Sequence, residues 1–388
     1  MSSTDLFTPI DLGPMTVHGR LLRSGTSESG SSEQGVPSNA LGQMYVELAR
    51  GGCPLVLTGF AYVRADGKSG SLQNAIHLDR LVPHWRSITD AVHRANPECR
   101  IGMQVVHGGR QCKPEGTPTT MAPSAVPDRR FGQTPREMTE NEIVDCIEAF
   151  GQAARRVKEA GFDAVQLHGA HGYLIAQFNS PHTNRRSDAW GGSPEARMKF
   201  LREVLERTRT EVGDDFPILI KLNATDCIDG GLTPEGSAEI CNALIRDGID
   251  GIELSAWMAE ADPSKAPSRE VDPSPEQEGY YLDACRVIRK KVECGSVPLG
   301  PCGGFRSLEV MNAMIRDDGF DFVSASRPFI CEPDVFRRLE AGQPRSGCNS
   351  CNECINGDRI PVVNCPPVIE GRLETPYLER RIGPQFID

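Results

Sequence analysis

Residues 160–167 read Ala-Gly-Phe-Asp-Ala-Val-Gln-Leu, and the chain repeats this pattern at residues 247–254 and 318–325. In each copy the end of a helix leads into a glycine, which suits the left-handed position after a helix, and then into a short apolar run. Gly51-Gly52, which precedes the apolar residues 54–57, is a fourth copy. Short apolar runs of this kind are typical of parallel strands that are buried on both faces. The repeated pattern therefore predicts an α/β protein built from helix–strand units.

Eight such strands can be counted along the chain, and helices separate them. The predicted strands are residues 20–24, 54–58, 100–106, 163–168, 217–222, 250–255, 297–300 and 320–325. The intervening helices have start signals, which include a capping box from Thr139 to Glu142 and first-turn prolines at Pro194 and Pro234. Eight strands that alternate with helices predict a closed parallel (β/α)8 barrel, a TIM barrel, and an open doubly wound sheet is the alternative.

Two long loops and a tail complete the predicted domain organisation. We assign residues 1–342 to the barrel and residues 343–388 to a short cysteine-rich C-terminal extension. Residues 111–137 are rich in Pro, Thr and Arg, and we expect this insertion after the third strand to cap the barrel. A second long loop, residues 258–276, follows the sixth strand. Both loops fall at the carboxyl ends of strands, where barrel enzymes keep their active-site loops.

Composition and charge exclude several classes of partner. The 388 residues carry a net charge of −11, which argues against nucleic acid or an anionic membrane as a partner because the phosphates would be repelled. The sequence lacks an apolar run of roughly 18 residues, so we predict no membrane span. The N-terminus lacks the basic and apolar regions of a secretion signal. With 14 cysteines and no export signal, we expect reduced thiols and a cytoplasmic location.

A phosphate site is predicted where the last two strands end. The seventh strand leads into Gly303-Gly304 and Arg306, and the eighth leads into Ser326-Arg327. A glycine pair lets backbone N–H groups approach a phosphate, and an arginine supplies a fork of donors for its oxygens. Barrel enzymes often bind phosphate after these two strands. For the glycine pair alone, an ordinary turn is the alternative.

His168, His171 and Tyr173 lie together at the end of the fourth strand and form the sharpest catalytic signal. Two imidazoles three residues apart can donate hydrogen bonds to one carbonyl or nitro oxygen, which stabilises the negative charge that develops as hydride reaches the substrate. A nearby tyrosine hydroxyl can then deliver a proton. A metal pair and core histidines are the alternatives, but no Glu or Asp at ligand spacing indicates zinc.

These residues belong to a longer ordered set that resembles the Old Yellow Enzyme family of FMN-dependent ene-reductases over about residues 5–342. The set comprises Leu6-Phe-Thr-Pro-Ile, Gln104-x-x-His107-x-Gly-Arg110, His168-x-x-His171-Gly-Tyr173-Leu, the run from Asn184 to Arg197, and Ser326-Arg327-Pro-Phe. The resemblance implies a TIM barrel that is closed at the bottom by an N-terminal hairpin, here residues 7–17.

The resemblance also implies which residues hold FMN and substrate. Gln104 would contact the pyrimidine edge of the flavin, and Lys221 would lie near flavin N1 and O2, where a cation favours the anionic reduced form. The ring would be lined by Ser24, Gly25, Thr26 and Gly59, and the phosphate would be held by Gly303, Gly304, Ser326 and Arg327. The substrate would meet His168 and His171 as oxygen ligands and Tyr173 as proton donor. Trp257, in the loop after the sixth strand, either shapes the substrate pocket or anchors the loop.

Four cysteines after the barrel form a metal-binding pattern, Cys348-x-x-Cys351-x-x-Cys354 followed by Cys365-Pro. Three closely spaced thiolates can hold one corner of an iron–sulfur cluster, and a later cysteine supplies the fourth ligand. The pattern is similar to that of 2,4-dienoyl-CoA reductase and trimethylamine dehydrogenase, which implies a [4Fe-4S] cluster. Zinc held by four thiolates and unligated thiols are the alternatives. We interpret the other ten cysteines as small core residues.

Taken together, these residues predict an FMN-dependent NAD(P)H oxidoreductase that reduces an activated C=C bond, such as that of an enone. The expected partners are NAD(P)H as co-substrate, a small-molecule substrate and a second copy of the chain. The alternative within the same fold is an amine demethylase or dehydrogenase that passes electrons through a cysteine-bound cluster to a partner protein. An FMN-binding scaffold without catalysis is the alternative from another class.

Overall fold

The computed structural model describes residues 5–112, 119–272, 274–293, 295, 297–356 and 362–373. Its central sheet has nine strands, eight of which form the barrel: β1 (Leu21–Arg23), β2 (Leu55–Leu57), β3 (Arg100–Val106), β4 (Ala164–Gly169), β5 (Ile218–Asn223), β6 (Gly251–Ser255), β7 (Leu299–Pro301) and β8 (Val323–Ala325). The ninth strand, Ala61–Tyr62, pairs in parallel with the end of β3. Each strand from β1 to β7 pairs in parallel with its neighbour in sequence, and β8 returns to pair with β1. A parallel bridge from Cys302 to Ser324 joins the ends of β7 and β8 and closes the ring. The predicted (β/α)8 barrel is confirmed, and the open doubly wound sheet is wrong.

One helix follows each strand and covers the outside of the barrel. These helices are α1 (Asn39–Arg50), α2 (Val82–Ala95), α3 (Glu140–Glu159), α4 (Pro194–Val212), α5 (Pro234–Arg246), α6 (Leu282–Lys291), α7 (Leu308–Arg316) and α8 (Val335–Glu340). The start of α3 has the predicted capping box, in which the Thr139 hydroxyl accepts the Glu142 N–H and the Glu142 carboxylate accepts the Thr139 N–H. Four shorter helices are Leu174–Asn179, Arg327–Cys331, Glu353–Asn356 and Pro366–Ile369.

The aspartate of the repeated Gly-x-Asp pattern fastens the start of each new strand to the strand before it. The backbone N–H of Asp163 donates to the Ile101 carbonyl at 2.8 Å, and the Asp163 carboxylate accepts the Ile101 N–H at 2.8 Å. The same two bonds join Asp250 to Ile218 and Asp321 to Leu299. Because these bonds lie at the amino ends of the strands, the repeat that predicts the strands also ties together the bottom of the barrel.

An N-terminal hairpin plugs that bottom, as predicted for residues 7–17. Strand Ile10–Leu12 pairs antiparallel with Met15–Val17. The apolar side chains of the hairpin pack against those that point into the barrel from β1, β2, β5 and the start of β8; the contacting residues are Ile10, Leu12, Met15, Val17, Leu22, Leu55, Leu219 and Phe322. Each fully buried aliphatic side chain of this kind contributes about 1.5–3 kcal/mol, so the hairpin seals the bottom and leaves the opposite end for function.

The long loops gather at the carboxyl ends of the strands. In the insertion 111–137, strand Met121–Ala122 pairs in parallel with Arg136–Glu137, and residues 113–118 lie outside the described part. The loop after β6 contains a short 3-10 helix at Pro263–Lys265. Arg129, Arg130 and Phe131 of the insertion line the cavity at this end, so the predicted capping insertion does reach the mouth of the barrel.

The described part of the C-terminal extension packs on the barrel beside the helix that follows β8. Val363 and Val368 of the extension lie in one apolar cluster with Ile330 and Cys331 of helix Arg327–Cys331. Residues 357–361 and 374–388 lie outside the described part. Within the residues that the structure covers, no helix combines the length and the apolar character needed to cross a membrane.

Candidate active site

A cavity of about 750 Å³ opens at the carboxyl ends of the barrel strands. The structure brings thirteen of the sequence-predicted residues to its wall: Ser24, Gly25, Thr26, Gly59, His168, His171, Tyr173, Lys221, Trp257, Gly303, Gly304, Ser326 and Arg327. Gln104 is fully buried directly behind Gly25, where a Cβ atom on Gly25 would lie 2.9 Å from Gln104 Nε2. The glycine therefore permits the close approach of the backbone after β1 to the Gln104 side chain.

A chain of buried polar side chains lies beneath the cavity as its floor and reaches the cavity wall at Lys221 and Ser24. Gln104 Nε2 donates to Gln166 Oε1 at 2.7 Å, and Gln166 Nε2 donates to Glu253 Oε2 at 2.9 Å. The other Glu253 oxygen lies 3.5 Å from Lys221 Nζ, which donates to Ser24 Oγ at 2.6 Å. Gln166 and Glu253 were not predicted from the sequence, although the strand register pairs Gln104 with Gln166 and Lys221 with Glu253. Polar residues at matched positions inside buried apolar strands are the sequence signal that could have identified them.

This floor fits the edge of a flavin ring, because one of its hydrogen-bond acceptors has no partner. Within the described residues, Gln104 Oε1 is buried without a hydrogen-bond partner. Buried polar atoms are normally paired, so an orphaned acceptor indicates that a ligand N–H completes it. Lys221 adds a buried cation whose carboxylate partner is already shared with Gln166. An acceptor beside a cation matches the polar edge of a flavin that gains negative charge on reduction.

A second missed group, Glu28, orders the loops after β1 and β2. Its carboxylate lies 2.7 Å from the Arg23 guanidinium, accepts the Gly59 N–H at 2.9 Å and accepts the Tyr45 hydroxyl. Both ionised side chains are almost fully buried. A buried pair of this kind costs desolvation, but removing one partner would leave an uncompensated charge. Glu28 therefore fixes the backbone around Gly59 at the cavity wall.

The predicted phosphate end forms around the turn after β7. Gly304 has φ = 77°, a left-handed conformation, and a Cβ atom there would lie 2.5 Å from the Tyr280 ring. Arg327 donates to the Arg269 carbonyl at 2.8 Å and lies 3.4 Å from the Tyr280 hydroxyl. Across the turn, the hydroxyls of Thr26 and Ser326 are hydrogen-bonded to each other. Tyr280, which was not predicted from the sequence, thus lines this end of the cavity, and the Arg269 guanidinium lies 3.8 Å from the centroid of its ring.

His168, His171 and Tyr173 lie close together on the wall of the same cavity. The ring centroid of His168 lies 5.2 Å from that of His171 and 4.9 Å from that of Tyr173. His171 has φ = 59°, its backbone N–H donates to Asn223 Oδ1 at 3.0 Å, and its Nε2 lies 2.7 Å from Ser255 Oγ. These contacts hold the backbone of His171 in a left-handed conformation, which L-residues rarely adopt.

Burial keeps the two imidazoles neutral and the phenol protonated. Burial lowers the pKa of His168 well below its usual range, and His171 and Lys221 lower it further. Burial, Lys221 and Arg130 lower the pKa of His171 to about 3. Burial raises the pKa of Tyr173, although Arg130 and Ser69, which face its hydroxyl, oppose part of the rise. At neutral pH the cluster therefore offers N–H donors without charge and an O–H that keeps its proton.

Trp257 lies on the cavity wall and is also fixed by its own backbone. Its φ is 104°, its N–H donates to the Thr225 carbonyl at 3.0 Å, and its carbonyl accepts Asn223 Nδ2 at 3.1 Å. The same asparagine holds His171, so one side chain positions both residues. Trp257 therefore lines the cavity and its backbone contacts fix the loop after β6, whereas its contact with a substrate stays a prediction.

The cysteines of the extension lie near one another at the edge of the apolar cluster. Cys348, Cys354 and Cys365 are buried and Cys351 is partly exposed. Each of Cys348, Cys351 and Cys354 has its pKa raised chiefly by burial and also by Cys365. Cys331, expected as an ordinary core cysteine, contacts Cys365. Among the described residues, no three His, Cys, Asp or Glu side chains converge as ligands of a single metal ion.

Comparison with known proteins gives consistent relatives. A model of the NADH:flavin oxidoreductase / NADH oxidase family matches residues 5–346. The chain is 34% identical over 360 residues to an NADH oxidase from Thermoanaerobacter brockii. The aligned region covers 91% of this chain and 54% of that protein. An NADPH dehydrogenase from Geobacillus sp. (strain WCH70) is 33% identical over 331 residues, or 85% of this chain and 92% of that protein.

A solved structure agrees with these sequence matches. A 2-naphthoyl-CoA reductase in complex with 2-naphthoyl-CoA superposes with a TM-score of 0.81 at 27% identity, over 90% of this chain and 54% of that chain. The chain thus spans about half the length of this reductase and of the NADH oxidase. The resemblance to the Old Yellow Enzyme family is confirmed. Because the family model covers most of its length, the chain belongs to the NADH:flavin oxidoreductase / NADH oxidase family.

Proposed function

We propose that this chain binds FMN in the cavity and acts as an NAD(P)H oxidoreductase that reduces an activated C=C bond of a small molecule. The observation that carries the proposal is that His168, His171 and Tyr173 lie together on the wall of a cavity that also contains the buried Lys221. The histidines and the tyrosine can bind a carbonyl oxygen and supply a proton, and the lysine favours negative charge on a group that binds next to it. Family membership supports a flavin and a nicotinamide as the redox groups.

Different residues of the site would bind different parts of the cofactor. Gln104 and Lys221 would meet the polar edge of the ring, Ser24 and Gly25 would lie along it, and Gly304 would be part of the phosphate site. Thr26, Gly59, Gly303, Ser326 and Arg327 complete the proposed set. The chemistry supplied by bound FMN is acceptance of hydride from NAD(P)H and delivery of hydride to the alkene.

His168 and His171 would donate hydrogen bonds to the activating oxygen of the substrate. Because both imidazoles are neutral, each N–H stabilises the oxygen as negative charge develops on it, without forming an ion pair with the ground state. Tyr173 would donate its proton to the carbon next to the activating group, while hydride adds to the other alkene carbon. One hydride and one proton added across the C=C bond balance the reduction. Trp257 would shape the pocket around the substrate.

The experiment follows the flavin absorbance of the purified protein without oxygen. We expect NADPH or NADH to bleach the flavin, and 2-cyclohexenone to restore its colour as cyclohexanone forms. A protein that stays reduced after the enone is added would contradict alkene reduction. A colourless protein that binds no added FMN would contradict a flavin site altogether, whereas a yellow protein inert to both nicotinamides and amines would favour the FMN-binding scaffold.

The four cysteines favour a second candidate, an amine demethylase or dehydrogenase. Cys348, Cys351, Cys354 and Cys365 could hold a [4Fe-4S] cluster, since four soft thiolates are its usual donors and all four lie in one region. Such a cluster would carry electrons from the barrel to a partner protein. Bleaching of the flavin by dimethylamine or trimethylamine, with none by NADPH or NADH, would establish this alternative.

A further inference from the structure

The cavity is positively charged, although the chain as a whole is strongly negative. Five basic side chains line it among the described residues, and Glu28 is the one carboxylate: the basic residues are Arg129, Arg130, Lys221, Arg306 and Arg327. Glu28 is already paired with Arg23. The net charge of the chain is −11. A positive cavity in an acidic protein indicates that anionic groups bind there.

Three of these cations are accounted for by the proposed cofactor. Arg327 and Arg306 follow the two strands whose ends form the phosphate turn, and Arg306 also lies 3.7 Å from Glu278. Lys221 lies in the floor beside Gln104 and Glu253. The remaining two, Arg129 and Arg130, lie on the capping insertion, at the side of the cavity that holds Tyr173.

The backbone of the insertion presents Arg130 to the cavity. The Asp128 carboxylate accepts the N–H groups of Arg130 and Phe131, each at 2.9 Å. The other oxygen of the Asp128 carboxylate lies 3.8 Å from Arg110 Nε. The guanidinium lies 5.2 Å from the centroid of the Phe131 ring and faces the Tyr173 hydroxyl. Within the described residues, no Asp or Glu oxygen lies within 4.0 Å of its nitrogens.

Resting on the proposed function, we propose that Arg130, with Arg129 beside it, binds an anionic group of the substrate, which is therefore an activated alkene bearing a carboxylate. His168 and His171 take the activating oxygen, and the carboxylate extends past Tyr173 to the cap. The guanidinium offers parallel N–H donors that match a carboxylate, and it selects for that group over an ester or an amide. The 2′-phosphate of NADPH has the same chemistry and is the alternative source of the anion.

The test compares two forms of one enone, (E)-4-oxo-2-pentenoate and its methyl ester, in the flavin-loaded protein. We expect Arg130→Gln to lower the ratio of kcat/KM for the acid to kcat/KM for the ester by roughly tenfold or more. The ratio cancels any effect of the substitution on Tyr173, which serves both substrates. Arg130→Lys keeps the charge and should retain much of the preference. Arg136→Gln is the matched control, because Arg136 lies on the same insertion but pairs with Glu142.

Two further measurements separate the outcomes. Flavin reduction by NADPH and by NADH is followed alone: if Arg130→Gln weakens only the NADPH reaction and leaves the acid-to-ester ratio unchanged, the anion is the nicotinamide phosphate and the substrate assignment is overturned. Calorimetric binding of 4-oxopentanoate, the saturated acid, needs no turnover and should weaken at least about tenfold in Arg130→Gln. Unchanged binding overturns the inference even if the enzyme reduces alkenes, and weakened binding supports it even if neither enone is reduced.

Discussion

At the scale of single residues, Tyr173 is suited to act as an acid because its surroundings keep the proton on the oxygen. Burial raises its pKa, and the histidines beside it are neutral, so no cation from them stabilises a phenolate. Arg130 and Ser69 face the hydroxyl and oppose this effect in part. Giving up the proton therefore requires a strong base, and in the proposed reaction the substrate becomes such a base when hydride reaches its alkene.

We predict that Tyr173→Phe slows oxidation of the reduced flavin by an enone roughly 100-fold to 10,000-fold, the usual contribution of a positioned general acid. Reduction of the flavin by NAD(P)H involves no such proton and should change little. Stopped-flow absorbance measures the two half-reactions separately. Tyr62→Phe is the matched control, since Tyr62 is a buried tyrosine outside the cavity wall. Equal slowing of both half-reactions would assign Tyr173 a role in flavin binding instead.

The sequence could predict the residues that belong to a contiguous motif, and it missed those that act through space. His168, His171 and Tyr173 stand within six positions, so one strand end identified them. Gln166 and Glu253 were not predicted because each lies in the middle of a mostly apolar strand, and only the barrel register brings them to Gln104 and Lys221. Arg130 escaped for a different reason. Its importance depends on the absence of a carboxylate partner in the described structure, and pairing cannot be seen in the sequence.

At the scale of secondary structure, the repeated Gly-x-Asp pattern explains why β4, β6 and β8 were predictable. The glycine ends a helix, the apolar run forms the strand, and the aspartate binds the preceding strand. Local chemistry and tertiary contacts therefore agree at the same few positions. The insertion 111–137 has no such agreement, because its only described pairing is the short strand Met121–Ala122 with Arg136–Glu137. Its position at the cavity could be predicted, but its pairing could not.

Asp163, one of these aspartates, makes a pH-dependent contact with His93. His93 on α2 lies 2.8 Å from Asp163, and this hydrogen bond raises the pKa of His93. Because the pKa of His93 is raised in the folded state, the contact makes its full contribution to folding stability at pH values below the unfolded pKa of about 6.5. That contribution is lost as the pH rises through the folded pKa. The side chain is 33% exposed, so solvent screening keeps the contribution small.

We therefore predict that His93→Gln lowers the free energy of unfolding by about 0.5 kcal/mol near pH 5.5 and by less near pH 9. Urea unfolding midpoints of the flavin-loaded protein at the two pH values measure the difference. His84→Gln on the same helix is the control, because His84 is exposed. A larger destabilisation at the higher pH would show that the neutral imidazole, and not the ion pair, makes the stabilising contact.

At the scale of the whole molecule, the barrel and its extension separate two kinds of chemistry. Most polar groups at the cavity wall are nitrogen and oxygen groups, with one thiol at Cys302, whereas the extension contains four closely spaced thiols. The connection between them is short, because helix Arg327–Cys331 begins with a cavity residue, Arg327, and ends with Cys331 in the apolar cluster of the extension. Ser350 of the extension also accepts a hydrogen bond from Arg306 at 2.8 Å. A change in the extension can therefore reach the phosphate end of the cavity through two direct contacts.

The thiols of the extension suit an iron–sulfur cluster. Cys348, Cys351, Cys354 and Cys365 lie in one region, and four soft thiolates are the usual donors of a four-iron cluster. We predict about four iron atoms and little zinc per chain when the protein is purified without oxygen. Cys348→Ser should lose most of this iron, whereas Cys285→Ser, a buried cysteine of α6, should keep it. Elemental analysis measures both, and about one zinc per chain with no iron would show that the extension is a tetrahedral structural site and that electrons do not leave the barrel through it.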